Sequence, residues 1–181
     1  MSPEDPLAPS IRYRWTVLVM LTLVYTFNFI DRQILVILQE PIKADLGLSD
    51  AQLGLLSGFS FALVYVTAGI PIAWLADRGN RRNIVAVSLG FWSFMTALSG
   101  LAQNYGQLLA ARIGVGIGEA GGSPPSHSMV SDYFPAKQRG TALSFYSTGI
   151  YIGILIGFAA GGWIAETFGW RVAFFLVGVP G

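Results

Sequence analysis

The sequence contains no cysteine and one histidine, His127. Without cysteine there are no disulfides and no thiolate-held metal sites. A single histidine cannot build a metal centre alone. Charge is scarce too. Asp, Glu, Lys and Arg make up 12% of the 181 residues, against roughly 25% in ordinary soluble proteins. The formal net charge of +1 offers no electrostatic footprint for a nucleic acid, so no nucleic-acid partner is expected. The first fourteen residues, MSPEDPLAPSIRYR, are polar and proline-rich. They lack the apolar centre of a signal peptide, and a cytoplasmic tail is expected over 1–14.

Apolar residues are abundant. They form 53% of the chain, alongside 22 glycines, and the mean hydropathy is +0.56. A membrane helix needs about 20 mostly apolar residues. Such runs lie at about 15–38, 50–75, 83–102, 108–130 and 141–165, and a sixth opens at 170 and is incomplete at 181. The expected fold class is therefore an all-α membrane protein, with one transmembrane bundle over 15–181. Ser49 and Gln52 have the spacing of a capping box at the start of the second run. The segment before it, QEPIKADLGL, suits a short amphipathic piece at the membrane surface.

Orientation follows from Lys and Arg in the short loops. Arg12, Arg14, Arg78, Arg81, Arg82, Lys137 and Arg139 fall on one side, and Lys43 and Arg171 on the other. Seven against two places the N-terminus in the cytoplasm. Arg32 and Arg112, the remaining two basic residues, lie inside predicted helices together with Asp31 and Glu119.

An uncompensated charge at the bilayer centre costs at least about 2.5 kcal/mol, so such residues face a protein interior and are paired. At 1.5 Å per residue, Asp31 lies about 24 Å along the first helix, and Arg112 about 6 Å below the outer edge on the fourth. Glu119 is two turns beyond Arg112 on the same face. Neighbours on a helix point about 100° apart, which suggests two contacts, Asp31–Arg112 and Arg32–Glu119. Asn28, one turn before Asp31–Arg32, is grouped with these four. Two readings stay open: mutually neutralised structural pairs, or acids that exchange protons as the protein changes state.

Gly116, Gly118 and Gly121 match a G-x-G-x-x-G spacing, but no strand–turn–helix context surrounds it. Close helix packing accounts for it better than nucleotide binding, and no cofactor is expected. Gly149, Gly153, Gly157 and Gly161 recur every four residues and form one small-residue packing ridge. Pro124 and Pro125 should bend or break the fourth helix. Asp77, Arg78, Arg81 and Arg82 cluster after the second helix, and Asp132 and Arg139 after the fourth. The arginines can reach Asp132, and Asp77 is placed to stabilise the start of the third helix.

The stretch WLADRGNRR resembles the loop signature of the major facilitator superfamily, with Ala73 in place of the usual first glycine and GN in place of the usual order. RIGVGIG is similar to that superfamily's fourth-helix motif, carried here by Arg112, Gly116 and Gly118. GILIGFAAGG resembles its antiporter motif, with Phe158 where proline is usual. FGWRVAFFLVGVPG looks like the start of its sixth helix. FNFIDRQIL, DRGNRR and RIGVGIGEAGGSPP resemble the spinster-like branch most.

The resemblance implies the N-terminal six-helix half of a twelve-helix fold, with the C-terminal half as partner. It implies alternating access of a proton-coupled secondary transporter in a bacterial inner membrane. The substrate would be a small organic anion or a lysolipid-like amphipath. Asp31, Arg32, Arg112, Glu119 and Asn28 would then line the cavity. Asp77, Arg78, Arg81, Arg82, Asp132 and Arg139 would form the cytoplasmic gate. The alternatives are a non-transporting membrane receptor or scaffold, and an organic-anion symporter of another branch. A membrane enzyme is not expected, because with no cysteine and one histidine the inventory for a nucleophile–base pair or metal ligands is poor.

Overall fold

A computed structural model of the chain describes residues 9–181. Among the described residues every regular element is helical. They are α1 (Ile11–Ile37), α2 (Gln39–Leu46), α3 (Asp50–Gly54), a π-helical turn (Leu55–Phe59) and α4 (Ser60–Arg78). Then come α5 (Arg81–Ser99), α6 (Tyr105–Ala120), α7 (Ser123–Tyr133), α8 (Ala136–Phe168) and α9 (Trp170–Gly178). Ile11–Ile37, Asp50–Arg78 and Ala136–Phe168 are each long and apolar enough to cross a membrane.

The boundaries differ from the expected runs where local chemistry intervenes. Residues 1–8 of the expected tail lie outside the described residues, but its end is helical. Ser10 accepts a hydrogen bond from the Tyr13 amide at 3.3 Å and starts α1 four residues before Trp15. The run at 108–130 is two helices, because Pro124 and Pro125 follow Gly121 and Gly122. At the first positions of α7 their missing N–H groups have no intrahelical partner to lose. The Ser49–Gln52 capping box is formed in both directions, at 3.3 and 2.9 Å. Gly47 closes α2 with φ of 64°, a conformation costly for other residues.

Two apolar clusters fill the bundle. One, toward the outer ends, joins Leu35, Leu38, Ile42, Leu56, Leu108 and Phe174. The other, toward the cytoplasmic ends, joins Leu18, Leu21, Val85, Val130, Phe134 and Tyr146. Buried polar residues occur in the interior as well: Asn28, Asp31, Thr96, Arg112 and Glu119. Large apolar side chains such as Leu63, Val66 and Ile70 of α4 and Tyr151 and Leu155 of α8 point outward. Charge inside and hydrocarbon outside is the distribution a bilayer demands.

Glycines set the helix spacings. The ridge on α8 lies against α1: a Cβ on Gly149, Gly153 or Gly157 would come within 2.6–2.8 Å of Thr22 O, Thr26 O or Gln33 Cβ. Gly161 meets Ile34 Cδ1 in the same way at 2.7 Å. On α6, Gly114 and Gly118 press on Met95 and Trp92 of α5, while Gly116 faces Phe61 and Val64 of α4. Helix α6 thus sits between α4 and α5, with its charged residues turned inward.

Candidate functional site

The site begins with two faces. On α1, Asn28 and Asp31 are one turn apart and both buried. On α6, Arg112 and Glu119 are two turns apart and both buried, at 3% and 1% exposure. Arg32 Nε donates to Glu119 Oε2 at 2.7 Å, linking α1 to α6. The Arg32 side chain keeps 30% exposure and Glu119 keeps none. The acid is therefore held inside while its partner touches the open side of the bundle. Asn28 stands beside Glu119.

The Asp31–Arg112 contact expected from spacing is not among the ion pairs of the described residues. Arg112 Nε and Nη1 and Asp31 Oδ1 are buried without a hydrogen-bond partner. The reason lies in where Arg112 points: its guanidinium carbon is 5.9 Å from the centroid of the Phe61 ring of α4, and Asp31 Oδ1 is left without a partner. Arg112 remains close enough to act on it through space.

Aromatic rings complete the site, and these were not read from the sequence. The Arg32 guanidinium carbon lies 5.3, 5.1 and 5.2 Å from the ring centroids of Phe29, Phe61 and Tyr65. Arg112 shares the Phe61 ring at 5.9 Å. A cation over such a face is attracted by the ring quadrupole, by about 0.5–2 kcal/mol. Phe61 and Tyr65 are four residues apart on one helical face, a pattern visible in the sequence. Their value depends on the arginines that the fold brings to them. The π-helical turn directly precedes them, and such turns recur at functional sites.

The cytoplasmic set is only partly joined. Arg81 forms an ion pair with Asp132, connecting α5 to α7. Arg78 lies 4.1 Å from the Trp74 ring centroid, and Arg139 Nε donates to the Phe134 carbonyl at 3.0 Å. Asp77 and Arg82 form no ion pair among the described residues. Asp77 does not begin the next helix: α4 runs to Arg78, and the Asn80 side chain takes the Asn83 amide at 3.3 Å. An acid in a final turn lies at the unfavourable end of the helix dipole.

The outer side has a clasp that the sequence did not disclose. Arg171 Nη1 donates to Asp45 Oδ2 at 2.6 Å and Nη2 to the Ala102 carbonyl at 3.1 Å. It ties α2 and the α5–α6 loop to α9. Beside it, the hydrogen bond to Asp50 holds the Lys43 ammonium above the usual lysine range. His127 rests edge-on against Tyr146, centroids 5.1 Å apart, with Nδ1 donating to the Ser123 carbonyl at 2.9 Å. Among the described residues no three His, Cys, Asp or Glu side chains converge as metal ligands would.

Comparison with known proteins bears on this arrangement. Residues 21–181 match the family model described as Major Facilitator Superfamily. The chain belongs to the major facilitator superfamily. An MFS-type efflux pump of Mycolicibacterium smegmatis is 40% identical over 167 residues, 92% of this chain and 39% of that protein. A probable galactarate/D-glucarate transporter of Bacillus subtilis is 35% identical over 183 residues, 97% of this chain and 40% of that protein. The crystal structure of a bacterial homolog to the human lysosomal transporter Spinster, inward-facing and occupied, superposes with a TM-score of 0.88. It is 41% identical, over 95% of this chain and 43% of that one. This major facilitator chain thus spans about two-fifths of the length of the relatives it matches. Those relatives are named as transporters and pumps, not as enzymes. It is an integral, multi-pass membrane protein.

Proposed function

We propose that the protein to which this chain contributes is a proton-coupled secondary transporter of a small organic anion or an anionic amphipath. It would work by alternating access about the Asp31–Arg32–Arg112–Glu119 site. One observation carries this reading: a wholly buried Glu119 held by a partly open Arg32, with a second guanidinium, Arg112, buried and unpartnered nearby.

Mechanistically, Arg32 and Arg112 offer two guanidiniums to an anionic group, and arginine suits bidentate contact with carboxylate or phosphate. Phe29, Phe61 and Tyr65 give the less polar part of the substrate a wall. An anion that draws Arg32 off Glu119 leaves a buried carboxylate uncompensated, which favours its protonation. A proton and an anion would then occupy the site together. Arg81–Asp132, with Asp77, Arg78, Arg82 and Arg139, would fasten the cytoplasmic ends in one state. A second half-bundle would supply the facing wall, as in transporters built from repeats with a midplane site.

Two chemistries of substrate fit the site. The names of the galactarate/D-glucarate transporters favour a sugar acid, and the aromatic wall of Phe29, Phe61 and Tyr65 around the Arg32 guanidinium suits an anionic amphipath. The test is uptake by the full-length protein in proteoliposomes under an imposed pH gradient, with sugar acids in one arm and lysolipids in the other. Accumulation in one arm that collapses with the gradient identifies the substrate class. Accumulation that ignores the gradient removes proton coupling, and none in either arm favours a receptor or scaffold.

A further inference from the structure

His127 is exposed on α7. Its Nδ1 lies 2.9 Å from the Ser123 carbonyl oxygen. A carbonyl can only accept, so Nδ1 carries the hydrogen. In a neutral imidazole the other nitrogen is then an acceptor. Among the described residues no donor meets Nε2. The ring therefore offers one free lone pair.

A run of rings joins this lone pair to the charged site. His127 stands edge-on to Tyr146 at 5.1 Å, and Tyr146 stacks on Tyr25 at 4.4 Å. Tyr25 meets Phe29 at 5.1 Å, and the Arg32 guanidinium carbon is 5.3 Å from the Phe29 centroid. Tyr25, Phe29 and Arg32 fall at i, i+4 and i+7, one face of α1. Tyr25 and Phe29 are half-buried, whereas Tyr146 is buried in the cytoplasmic cluster with Leu18 and Val130. Tyr146 thus anchors Tyr25 of α1 and His127 of α7 side by side. From Tyr25 to Arg32 is seven residues, about 10 Å of rise.

The two ends of this strip demand different chemistry. At one end Arg32 and Arg112 can only donate, and Arg112 Nε and Nη1 are buried without partners. At the other end His127 Nε2 accepts. A carboxylate fits the first end and is refused at the second, where acceptor would face acceptor. A hydroxyl fits the second end, because it can donate. Between them the rings offer an apolar surface to a carbon skeleton.

We propose that His127 is a substrate-binding residue, which accepts a hydroxyl at the far end of a sugar acid whose single carboxylate is held by Arg32 and Arg112. The site then selects a six-carbon polyhydroxy monocarboxylate over the dicarboxylate of the same skeleton. An acyl chain would cover the rings and leave Nε2 desolvated without a donor, which is costly, so a lysolipid is the poorer occupant. The proposal rests on the reading that Arg32 and Arg112 bind the acid group of the substrate. Tyr146, which touches the rings beside it, is a positioning residue.

Isothermal titration calorimetry on the full-length protein tests this, with galactonate and galactarate as the matched mono- and dicarboxylate. The assay runs at about pH 8, where an ordinary imidazole is neutral. The wild type should bind galactonate at least about tenfold more tightly than galactarate. His127→Phe keeps a ring against Tyr146 and removes the acceptor, so galactonate should weaken about two- to tenfold while galactarate changes little. His127→Arg places donors at the far end and should reverse the preference, a gain that a misfolded variant could not show. Galactarate bound by the wild type as tightly as galactonate, or a ratio unmoved in both variants, overturns the proposal. Binding of neither acid overturns it too, and lysolipid uptake driven by a pH gradient would then leave the transport reading standing. Arg32→Met should weaken both acids alike. If both still bind and the ratio still follows His127, the arginine reading falls and His127 stays as the hydroxyl acceptor.

Discussion

Arg32 and Glu119 are 87 residues apart in the chain and 2.7 Å apart across the bundle. Breaking a buried ion pair from one side costs about 3–5 kcal/mol, because the other charge is stranded, whereas removing both can be nearly neutral. Arg32→Met should therefore lower the melting temperature of the full-length protein in detergent markedly. The double variant Arg32→Met/Glu119→Leu should recover most of it. Equal melting of the single and double variants would show that the pair is not a structural unit.

Phe61 lies under both guanidiniums, 5.1 Å from Arg32 and 5.9 Å from Arg112. Phe61→Leu keeps the apolar bulk and loses the ring. With cation–π contacts of about 0.5–2 kcal/mol, the apparent KM for substrate should rise between about twofold and thirtyfold. Phe61→Tyr should stay close to wild type. A KM unchanged in Phe61→Leu would make the ring a spacer only.

The α8 ridge permits a comparison within one helix. A Cβ on Gly153 would meet Thr26 O at 2.6 Å and Phe29 Cβ at 2.7 Å, while Gly162 has nothing within 4 Å. Gly153→Ala must push α8 from α1 and should destabilise by about 1–3 kcal/mol. Gly162→Ala should be neutral or slightly stabilising, since alanine favours helix over glycine. Thermal melts of the two variants side by side settle the point.

On the cytoplasmic side, Asp132 is well exposed in its ion pair with Arg81, and such pairs contribute only about 0–1 kcal/mol. Asp132→Asn should leave the melting temperature nearly unchanged and alter turnover. The swap Arg81→Asp/Asp132→Arg should restore the rate if the pair fastens one state. A rate that stays low in the swap would assign each residue a separate role.

Arg171 holds the Asp45 carboxylate and the Ala102 carbonyl at once. Lysine cannot reproduce the planar fork that makes both bonds. Arg171→Lys should therefore speed amide hydrogen exchange across Gln39–Leu46 almost as much as Arg171→Ala. Exchange that stays slow in the lysine variant would show that charge alone holds α2.

Much of this molecule was legible along the chain, because a bilayer selects on composition. Apolar runs of about 20 residues fix where the membrane segments lie, and a charge within one must find a partner. That logic isolated Asp31, Arg32, Arg112 and Glu119, and the four-residue glycine spacing marked the face of α8. Which atoms meet depended on packing. Adjacent residues diverge by about 100°, so one rotation of α1 decides whether Asp31 or Arg32 reaches Glu119. In the folded bundle Arg32 does, and Asp31 Oδ1 stays buried without a hydrogen-bond partner. Nor does any local signal say that Phe61 lies under two arginines, or that Arg171 reaches Asp45 across 126 residues. Helix propensity and hydropathy act over neighbouring residues; the pairing of distant faces is set by how the glycine ridges let the helices approach.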